Sequence, residues 1–259
     1  MTNNFEQSPE FLKQKQWLQT QSDSFLQHAR ERKTINIVWI SCSTVNKDDN
    51  PPRVPSSHKL LERAMNIAKS INPTIEIVTK IHKLDEMNFQ HCEANYSIKG
   101  DYCTRPCWIS QRMAKAGKAD PLTELYYDLV DWSDIVLIAT PIRWNNPSSL
   151  YFKLVERLNC IENQKEVYGV DLIHNQLAGM IIIGAQDGAQ HVMGQIMPIW
   201  SQMGFSFVKN PAVLYTAGWY SNKKTDLVAS QIEADQQMLD EATIAMLTAQ
   251  IETILLRRK

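Results

Sequence analysis

The feature that most constrains the fold of this chain is a series of apolar segments that alternate with helical ones. Two of these segments, residues 135–139 and 180–183, are apolar throughout. Strands without a polar face are typical of a parallel sheet that helices cover on both sides. We predict strands at 35–40, 74–78, 134–139, 177–183 and 211–216, and helices at 58–71, 121–132, 148–162, 190–203 and 226–256.

Five such alternations in 259 residues predict an α/β fold with a flavodoxin-like, doubly wound, five-stranded parallel sheet in the order 2-1-3-4-5. The helical spacing of apolar residues in 1–33 predicts an N-terminal helical extension, which packs either on its own domain or on a partner subunit. The main domain is expected at 34–225, with an insert at 84–120 that lacks a clear period. Residues 226–259 are expected to form a C-terminal helix.

Charge and hydropathy exclude several classes of function. The formal net charge is −1, which gives no electrostatic reason to expect nucleic acid as a partner. No apolar run approaches the length of a membrane span, and the N-terminus lacks the basic start and apolar stretch of a signal peptide. Five cysteines in such a chain are expected to be reduced. We therefore expect a cytoplasmic protein with no membrane partner.

A polar loop after the third strand is the most informative candidate for a binding site. It runs from Thr140 to Pro147, is bracketed by Pro141 and Pro147, and carries Trp144. In open α/β sheets, ligands bind at the carboxyl ends of the strands. A loop with asparagines, a tryptophan and free backbone N–H groups suits a flat heteroaromatic ring with polar edges.

Two further loops are expected at the same edge of the sheet. The first contains hydroxyl residues and lacks glycine, so it is neither a Walker loop nor a dinucleotide fingerprint. Its serines, at a helix N-terminus, predict either a phosphate site or ordinary capping of the helix by Ser56 or Ser57. The second, Gly184 to Gly188, permits close backbone approach, although a glycine-containing turn before a helix is also common.

Together these loops resemble the flavodoxin-like NAD(P)H-dependent FMN reductase superfamily, which includes quinone reductases and iron–sulfur flavoproteins. The resemblance is carried mainly by residues 138–149, with Phe152-Lys153 and 156–158, and it covers roughly residues 34–218. It implies that the FMN phosphate is held by Ser41, Ser43, Ser56, Ser57 and His58, and that the isoalloxazine ring is lined by Pro141, Ile142, Arg143, Trp144 and Asn145 and approached from its other side by Gly184, Ala185, Gln186, Asp187 and Gly188. The chain departs from the family in its long, glycine-free first loop and in the arginine at position 143, where an aromatic residue is common.

The resemblance also implies the chemistry. FMN is the expected cofactor and NAD(P)H the expected co-substrate, with a quinone, free flavin or similar small molecule as the acceptor. Because the flavin carries the chemistry, no catalytic side chain is predicted. A homodimer or homotetramer is expected. Two alternatives stay open: a non-enzymatic FMN-binding or electron-transfer protein, and a flavin-free flavodoxin-like scaffold, which the glycine-free first loop keeps possible.

The insert contains three cysteines, Cys92, Cys103 and Cys107. Iron–sulfur flavoproteins carry their cluster cysteines in this interval, as the resemblance implies. The spacings here, ten and then three intervening residues, match neither a compact four-thiolate cluster nor a zinc C-x-x-C pair. We favour a structural insert without metal, and leave open an iron–sulfur or zinc site and a redox-active thiol or disulfide.

Overall fold

A five-stranded parallel sheet organises the molecule. The structure is a computed structural model that describes residues 8–44, 54–97, 103–185, 187–217 and 231–259. The strands are β1 (Thr34–Ser41), β2 (Glu76–Lys83), β3 (Ile135–Pro141), β4 (Leu177–Gly184) and β5 (Ala212–Thr216). They pair in parallel in the order β2-β1-β3-β4-β5. The predicted fold class and strand order are confirmed.

The helices that cover the sheet are α1 (Pro9–Glu31), α2 (Ser56–Ile71), α3 (Trp108–Lys115), α4 (Leu122–Tyr127), α5 (Ser149–Tyr168), α6 (Ala189–Gln202) and α7 (Gln236–Arg258). The chain continues from α4 as a π-helical turn, Asp128–Trp132, and a short 3-10 helix spans Asn95–Ser97. No helix in these described ranges is long and apolar enough to cross a bilayer.

The core has two layers because alternate strand residues point to opposite faces of the sheet. Ile37 and Leu137 face the layer formed with α2 and α7. Val38 and Ile138 face the layer formed with α3, α4, α5 and α6. Six of the seven residues of β3 are buried, which is why this segment reads as a continuous apolar run rather than an alternating one.

Three sequence predictions needed correction. Helix α5 runs to Tyr168 rather than ending at 162, and Gly169, with φ of +65°, follows its last residue. Strand β2 runs from Glu76 to Lys83 rather than from 74 to 78. It is an edge strand, and the polar residues among its half-buried positions obscure the alternating pattern that would have predicted its second half. The insert 84–120 contains helix α3, which was not predicted because it is short and polar. The predicted start of the last helix, at 226, lies outside the described residues.

The two long terminal helices pack on this domain. Phe11 and Leu18 of α1 are buried against Tyr168 and Val170 at the end of α5, with the rings of Phe11 and Tyr168 stacked at 4.9 Å. Helix α7 covers the face of the sheet shared with α2; its buried apolar residues include Leu239, Met246, Leu247 and Ile251, whereas Met238 and Ile244 are exposed. Helix α7 thus belongs to the core layer that contains α2, whereas α1 packs in a separate apolar cluster at the end of α5.

Candidate functional site

Ser148 joins the loops that follow β1 and β3. Its hydroxyl donates to the carbonyl oxygen of Cys42 at 2.5 Å and accepts from the N–H of Tyr151 at 3.3 Å, which makes Ser148 the N-cap of α5. Its own N–H donates to Oγ1 of Thr140 at 3.0 Å. One buried serine therefore connects the end of β1, the end of β3 and the first turn of α5.

Two glycines let the loop after β4 approach the loop after β3. A Cβ at Gly184 would lie 2.8 Å from the side chain of Ile142, and one at Gly188 would lie 2.5 Å from Oδ1 of Asn145. Gly188 also has φ of +111°, a conformation that residues with a side chain rarely adopt. The contact between these loops requires glycine at both positions.

The loop after β3 ends in a tight turn that presents Trp144 to solvent. Arg143 and Asn146 exchange backbone hydrogen bonds of 2.8 and 2.9 Å, and φ is +51° at Trp144 and +61° at Asn145. Positive φ at both central residues is characteristic of a type I′ turn, which usually contains glycine or asparagine. The indole of Trp144 is 96% exposed, so the structure does not bury it in the chain's own fold.

Helix α6 stabilises the turn through a side-chain hydrogen bond. Gln195 donates from Nε2 to Oδ1 of Asn146 at 2.9 Å, and the side-chain amide of Asn146 donates to the carbonyl of Trp144 at 2.7 Å. These contacts brace a backbone conformation that is unfavourable for tryptophan. Strained residues of this kind persist where the surrounding structure imposes them, and they concentrate at functional sites.

Buried hydroxyls surround the start of α2. The Oγ atoms of Ser43 and Ser57 lie 2.5 Å apart, and Oγ of Ser41 lies 3.1 Å from Nδ1 of His58. The N-cap residue of α2 is Pro55, and no side chain caps the helix. The alternative in which Ser56 or Ser57 caps this helix is therefore wrong, because both residues lie inside its first turn.

A cavity of about 240 Å³ adjoins these hydroxyls. It is lined by Ser41, Ser43, Val54, His58, Glu62, Lys83, Asp85 and Glu86. Lys83 lies 3.7 Å from Glu62 and 4.0 Å from Glu86. The cavity is thus lined by more carboxylates than lysines. The groups suited to binding an anion lie at the end of the cavity that is lined by serines, where α2 begins.

The structure brings together most of the predicted site residues in two groups. Ser41, Ser43, Ser57 and His58 meet at α2, with Ser56 beside them; Pro141, Ile142, Asn145, Gly184 and Gly188 meet at the loops after β3 and β4. Arg143, Trp144, Ala185 and Asp187 are exposed, and Gln186 lies outside the described residues. Thr140, Ser148 and Gln195 were not predicted as site residues. Thr140 and Ser148 lie in the stretch 138–149 that carries the family resemblance, and Ser148 also directly precedes an amphipathic helix.

No group of three or more His, Cys, Asp or Glu side chains in the described ranges is arranged to hold a metal ion. Cys42, at the end of β1, is also no candidate for thiolate chemistry. Burial raises the pKa of its thiol well above the usual range, so the group stays protonated.

Comparison with known proteins identifies the family. A model of the NADPH-dependent FMN reductase family matches residues 51–219, well over half of the chain. The chain belongs to this family. Membership confirms the resemblance seen in the sequence, and it supports FMN as the cofactor.

Solved structures agree with this fold. The crystal structure of RosB with the bound intermediate 8-demethyl-8-formylriboflavin-5'-phosphate has a TM-score of 0.63 and 17% identity, over 86% of this chain and 80% of that one. FerB of Paracoccus denitrificans, a flavoenzyme NAD(P)H:(acceptor) oxidoreductase, has a TM-score of 0.51 and 14% identity, over 85% of this chain and 99% of that one. At such identities the likeness shows the fold alone.

One curated relative is more similar in sequence but over a shorter stretch. The 8-demethyl-8-aminoriboflavin-5'-phosphate synthase of Streptomyces davaonensis is 31% identical over 83 residues. The match covers 32% of each protein, so this chain spans about a third of the length of the relative that it matches.

Proposed function

We propose that this chain is an NAD(P)H-dependent FMN oxidoreductase whose acceptor is a small molecule such as a quinone or a free flavin. The observation that carries the proposal is the meeting of three strand-end loops at one edge of the sheet, fastened by Ser148 and by the close approach of Gly184 and Gly188 to the turn after β3. The family match supplies the class of cofactor.

The phosphate of FMN is assigned to the start of α2. Ser43 and Ser57 place two buried hydroxyls there, and they bond to each other, so one hydroxyl proton has no acceptor within the pair. Because no side chain caps α2, the N–H groups of its first turn can also serve an anion. His58 and Ser41 support this region from the side of β1.

The ring of FMN is assigned to the loops after β3 and β4. Asn145 and the backbone of the turn offer polar groups to its edge, and Gly188 lets the loop after β4 approach Asn145 more closely than a side chain at that position would permit. Trp144, exposed at the tip of the turn, supplies an aromatic surface for a flat acceptor. When bound, FMN supplies hydride acceptance from NAD(P)H and electron donation to that acceptor.

The first experiment is to load the protein with FMN, desalt it and record its visible spectrum. About one flavin per chain is expected, followed by NADPH or NADH oxidation that depends on an added quinone or free flavin. Full flavin loading with negligible turnover would favour the electron-transfer alternative. A colourless protein under all loading conditions would favour the flavin-free scaffold.

Ser57→Ala tests the phosphate assignment. Removing a hydroxyl that bonds a charged group costs about 1.5–3 kcal/mol, so FMN affinity should fall about 10- to 150-fold. Ser70→Ala removes a hydroxyl at the opposite end of the same helix, where it bonds the carbonyl of Ile67, and should leave FMN affinity unchanged. If Ser57→Ala bound FMN with unaltered affinity, the assignment of the phosphate to this position would be wrong.

A second candidate function is chemistry on the flavin itself. It is favoured by the relatives, since the curated match is a synthase named for an aminoriboflavin phosphate and RosB was solved with a formylriboflavin phosphate. Mass analysis of the flavin recovered after turnover distinguishes the two. Unchanged FMN supports the oxidoreductase, whereas a flavin altered at its ring substituent supports the second candidate.

We also propose that the protein works in the cytoplasm as a homodimer or homotetramer. The exposed apolar side chains of the terminal helices, including Trp17 of α1 and Met238 and Ile244 of α7, offer surface for such contacts. Light scattering of the FMN-loaded protein tests the assembly. A monomer at concentrations well above those of the activity assay would contradict it.

A further inference from the structure

Two cysteines of the insert lie in the core beside α5. Arg157, an α5 residue that contacts one of them, is about 12 Å along the helix from its start at the candidate flavin site. Cys103 and Cys107 are 5% and 6% exposed, and their side chains are hydrogen-bonded to each other. The carbonyl of Cys103 accepts from Asn163 of α5 at 2.7 Å. The pair is therefore a built part of the fold, held against α5.

A buried arginine faces one of these sulfurs. Arg157 of α5 is 1% exposed, and its Nε donates to Sγ of Cys107 at 3.3 Å. Its Nη1 donates to the carbonyl of Gln90 at 2.9 Å, and its Nη2 forms an ion pair with the buried carboxylate of Asp120. Cys107 thus occupies one of the acceptor positions of a guanidinium that has no access to water.

These surroundings shift the pKa values of the two thiols in opposite directions. Hydrogen bonding from Cys103, with help from the charge of Arg157, lowers the pKa of Cys107 to about 6. Hydrogen bonding with Cys107 and burial raise the pKa of Cys103 well above its usual range. The other ionisable groups that face Cys107 are Arg112 of α3 and Cys160 of α5, with Asp120 balancing the charge of Arg157. Cys107 also stands at the N-cap of α3, where the helix dipole favours a thiolate.

We propose that Cys103 and Cys107 form an oxidisable dithiol site for a small hydroperoxide, in which Cys107 is the attacking thiolate and Cys103 the resolving thiol. Cys103 and Cys107 are each only slightly exposed, so the site favours small, neutral reagents such as hydrogen peroxide. The site is separate from the flavin edge and does not depend on the proposed function.

The chemistry balances as two steps. The Cys107 thiolate attacks one oxygen of hydrogen peroxide, the O–O bond breaks, and hydroxide leaves, so Cys107 becomes a sulfenic acid. Cys103 then attacks the Cys107 sulfur, the S–O bond breaks, and the proton of the Cys103 thiol leaves with the hydroxyl as water. The two cysteines are oxidised to a disulfide, and one peroxide is reduced to hydroxide and water.

The test uses the full-length chain, without NAD(P)H so that no flavin turnover generates peroxide. Reduced protein receives stepwise equivalents of hydrogen peroxide, free thiols are blocked with N-ethylmaleimide, and peptides are mapped without reduction. The expected product is a Cys103–Cys107 disulfide. Cys92, which is more exposed, and Cys160, which is fully buried, are internal controls for exposure and burial. Preferential oxidation of Cys92, or a Cys107–Cys160 disulfide, would overturn the assignment.

Variants separate the two roles. In Cys103→Ser, a sulfenic acid should persist at Cys107 and be captured by dimedone, whereas in Cys107→Ser neither adduct nor disulfide should form. Cys92→Ser should form the disulfide as readily as the unaltered protein. Absence of a dimedone adduct in a folded Cys103→Ser protein would contradict attack by Cys107.

The pH dependence of alkylation gives an independent measurement on the unaltered protein. Modification of Cys107 by iodoacetamide should rise through about pH 6, because the thiolate is the reactive form. Cys160 should resist throughout, because burial raises the pKa of its thiol well above the usual range. A rise for Cys107 that begins only near pH 8–9, the ordinary range of a cysteine, would show that Cys103 and Arg157 do not stabilise a thiolate there.

Discussion

Gly188 shows how a single absent side chain shapes the candidate site. Alanine at this position would have to adopt φ of +111°, with its Cβ 2.5 Å from Oδ1 of Asn145. We expect Gly188→Ala to displace the turn after β3, to lower the free energy of unfolding by about 1–3 kcal/mol and to weaken FMN binding. Denaturant unfolding and flavin titration on the same preparation measure both effects.

Gly194 provides the matched control because it lies within α6, the helix that Gly188 precedes. A Cβ there meets nothing within 4 Å. Gly194→Ala should therefore be neutral or should stabilise the protein by up to about 1 kcal/mol, with unchanged FMN affinity. If Gly188→Ala bound FMN as tightly as Gly194→Ala, the turn at Asn145 would not be part of the flavin site.

The residue scale is also where sequence reasoning reached its limit. The glycines and asparagines of the two loops were recognisable as loop residues, but their contact, Gly188 against Asn145, depends on the packing of β3 beside β4. The same holds for Cys107. Its spacing from Cys103 was visible, whereas its partner Arg157 is 50 residues away and is brought to it by the position of α5.

At the scale of elements, the start of α5 is stabilised by the hydrogen bonds of its N-cap residue, Ser148. Ser148→Ala removes the N-cap bond to Tyr151 and the bond to the carbonyl of Cys42. Loss of a serine cap costs about 1 kcal/mol, and the carbonyl left without its donor adds to that cost. We expect a loss of about 2 kcal/mol in the free energy of unfolding, and weaker FMN binding because the loops after β1 and β3 are no longer joined.

Ser8→Ala is the comparison for Ser148→Ala because Ser8 caps α1 with the same chemistry, accepting from the N–H of Phe11 at 3.2 Å. It should cost about 1 kcal/mol and leave FMN affinity unaltered. Equal effects of the two substitutions on flavin binding would mean that Ser148 acts on stability alone.

Elements with strong periods were predictable, and the others were not. The buried strands β3 and β4 have almost the predicted bounds, because a long apolar run before a helix leaves few alternatives. Strand β2 lies at the sheet edge, where Lys80, His82 and Lys83 interrupt the apolar pattern and hid its second half. Helix α3 is eight residues long, and its short pattern could not be recognised within the polar insert.

At the scale of the whole molecule, both terminal helices converge on the sheet edge opposite the candidate site. Asp134, buried just before β3, accepts from the N–H of Asn36 at 2.8 Å and pairs with Arg258 of α7 at 2.7 Å. Arg32, at the end of α1, lies 3.7 Å from the same carboxylate. This buried cluster joins the two ends of the chain to the amino ends of β1 and β3.

Arg258→Ala tests whether the terminal helices act through stability alone. The substitution leaves the buried carboxylate of Asp134 with less compensation, so we expect the free energy of unfolding to fall by about 2–3 kcal/mol. Arg63→Ala breaks another ion pair of α7, with Asp240, but this pair is largely exposed and should cost less than about 1 kcal/mol. FMN affinity and turnover should match the unaltered protein in both variants at temperatures where they are folded, because the sheet separates Asp134 from the flavin loops. Loss of FMN affinity in folded Arg258→Ala would instead mean that the two edges of the sheet are energetically coupled, and that α7 belongs to the functional unit rather than to its support.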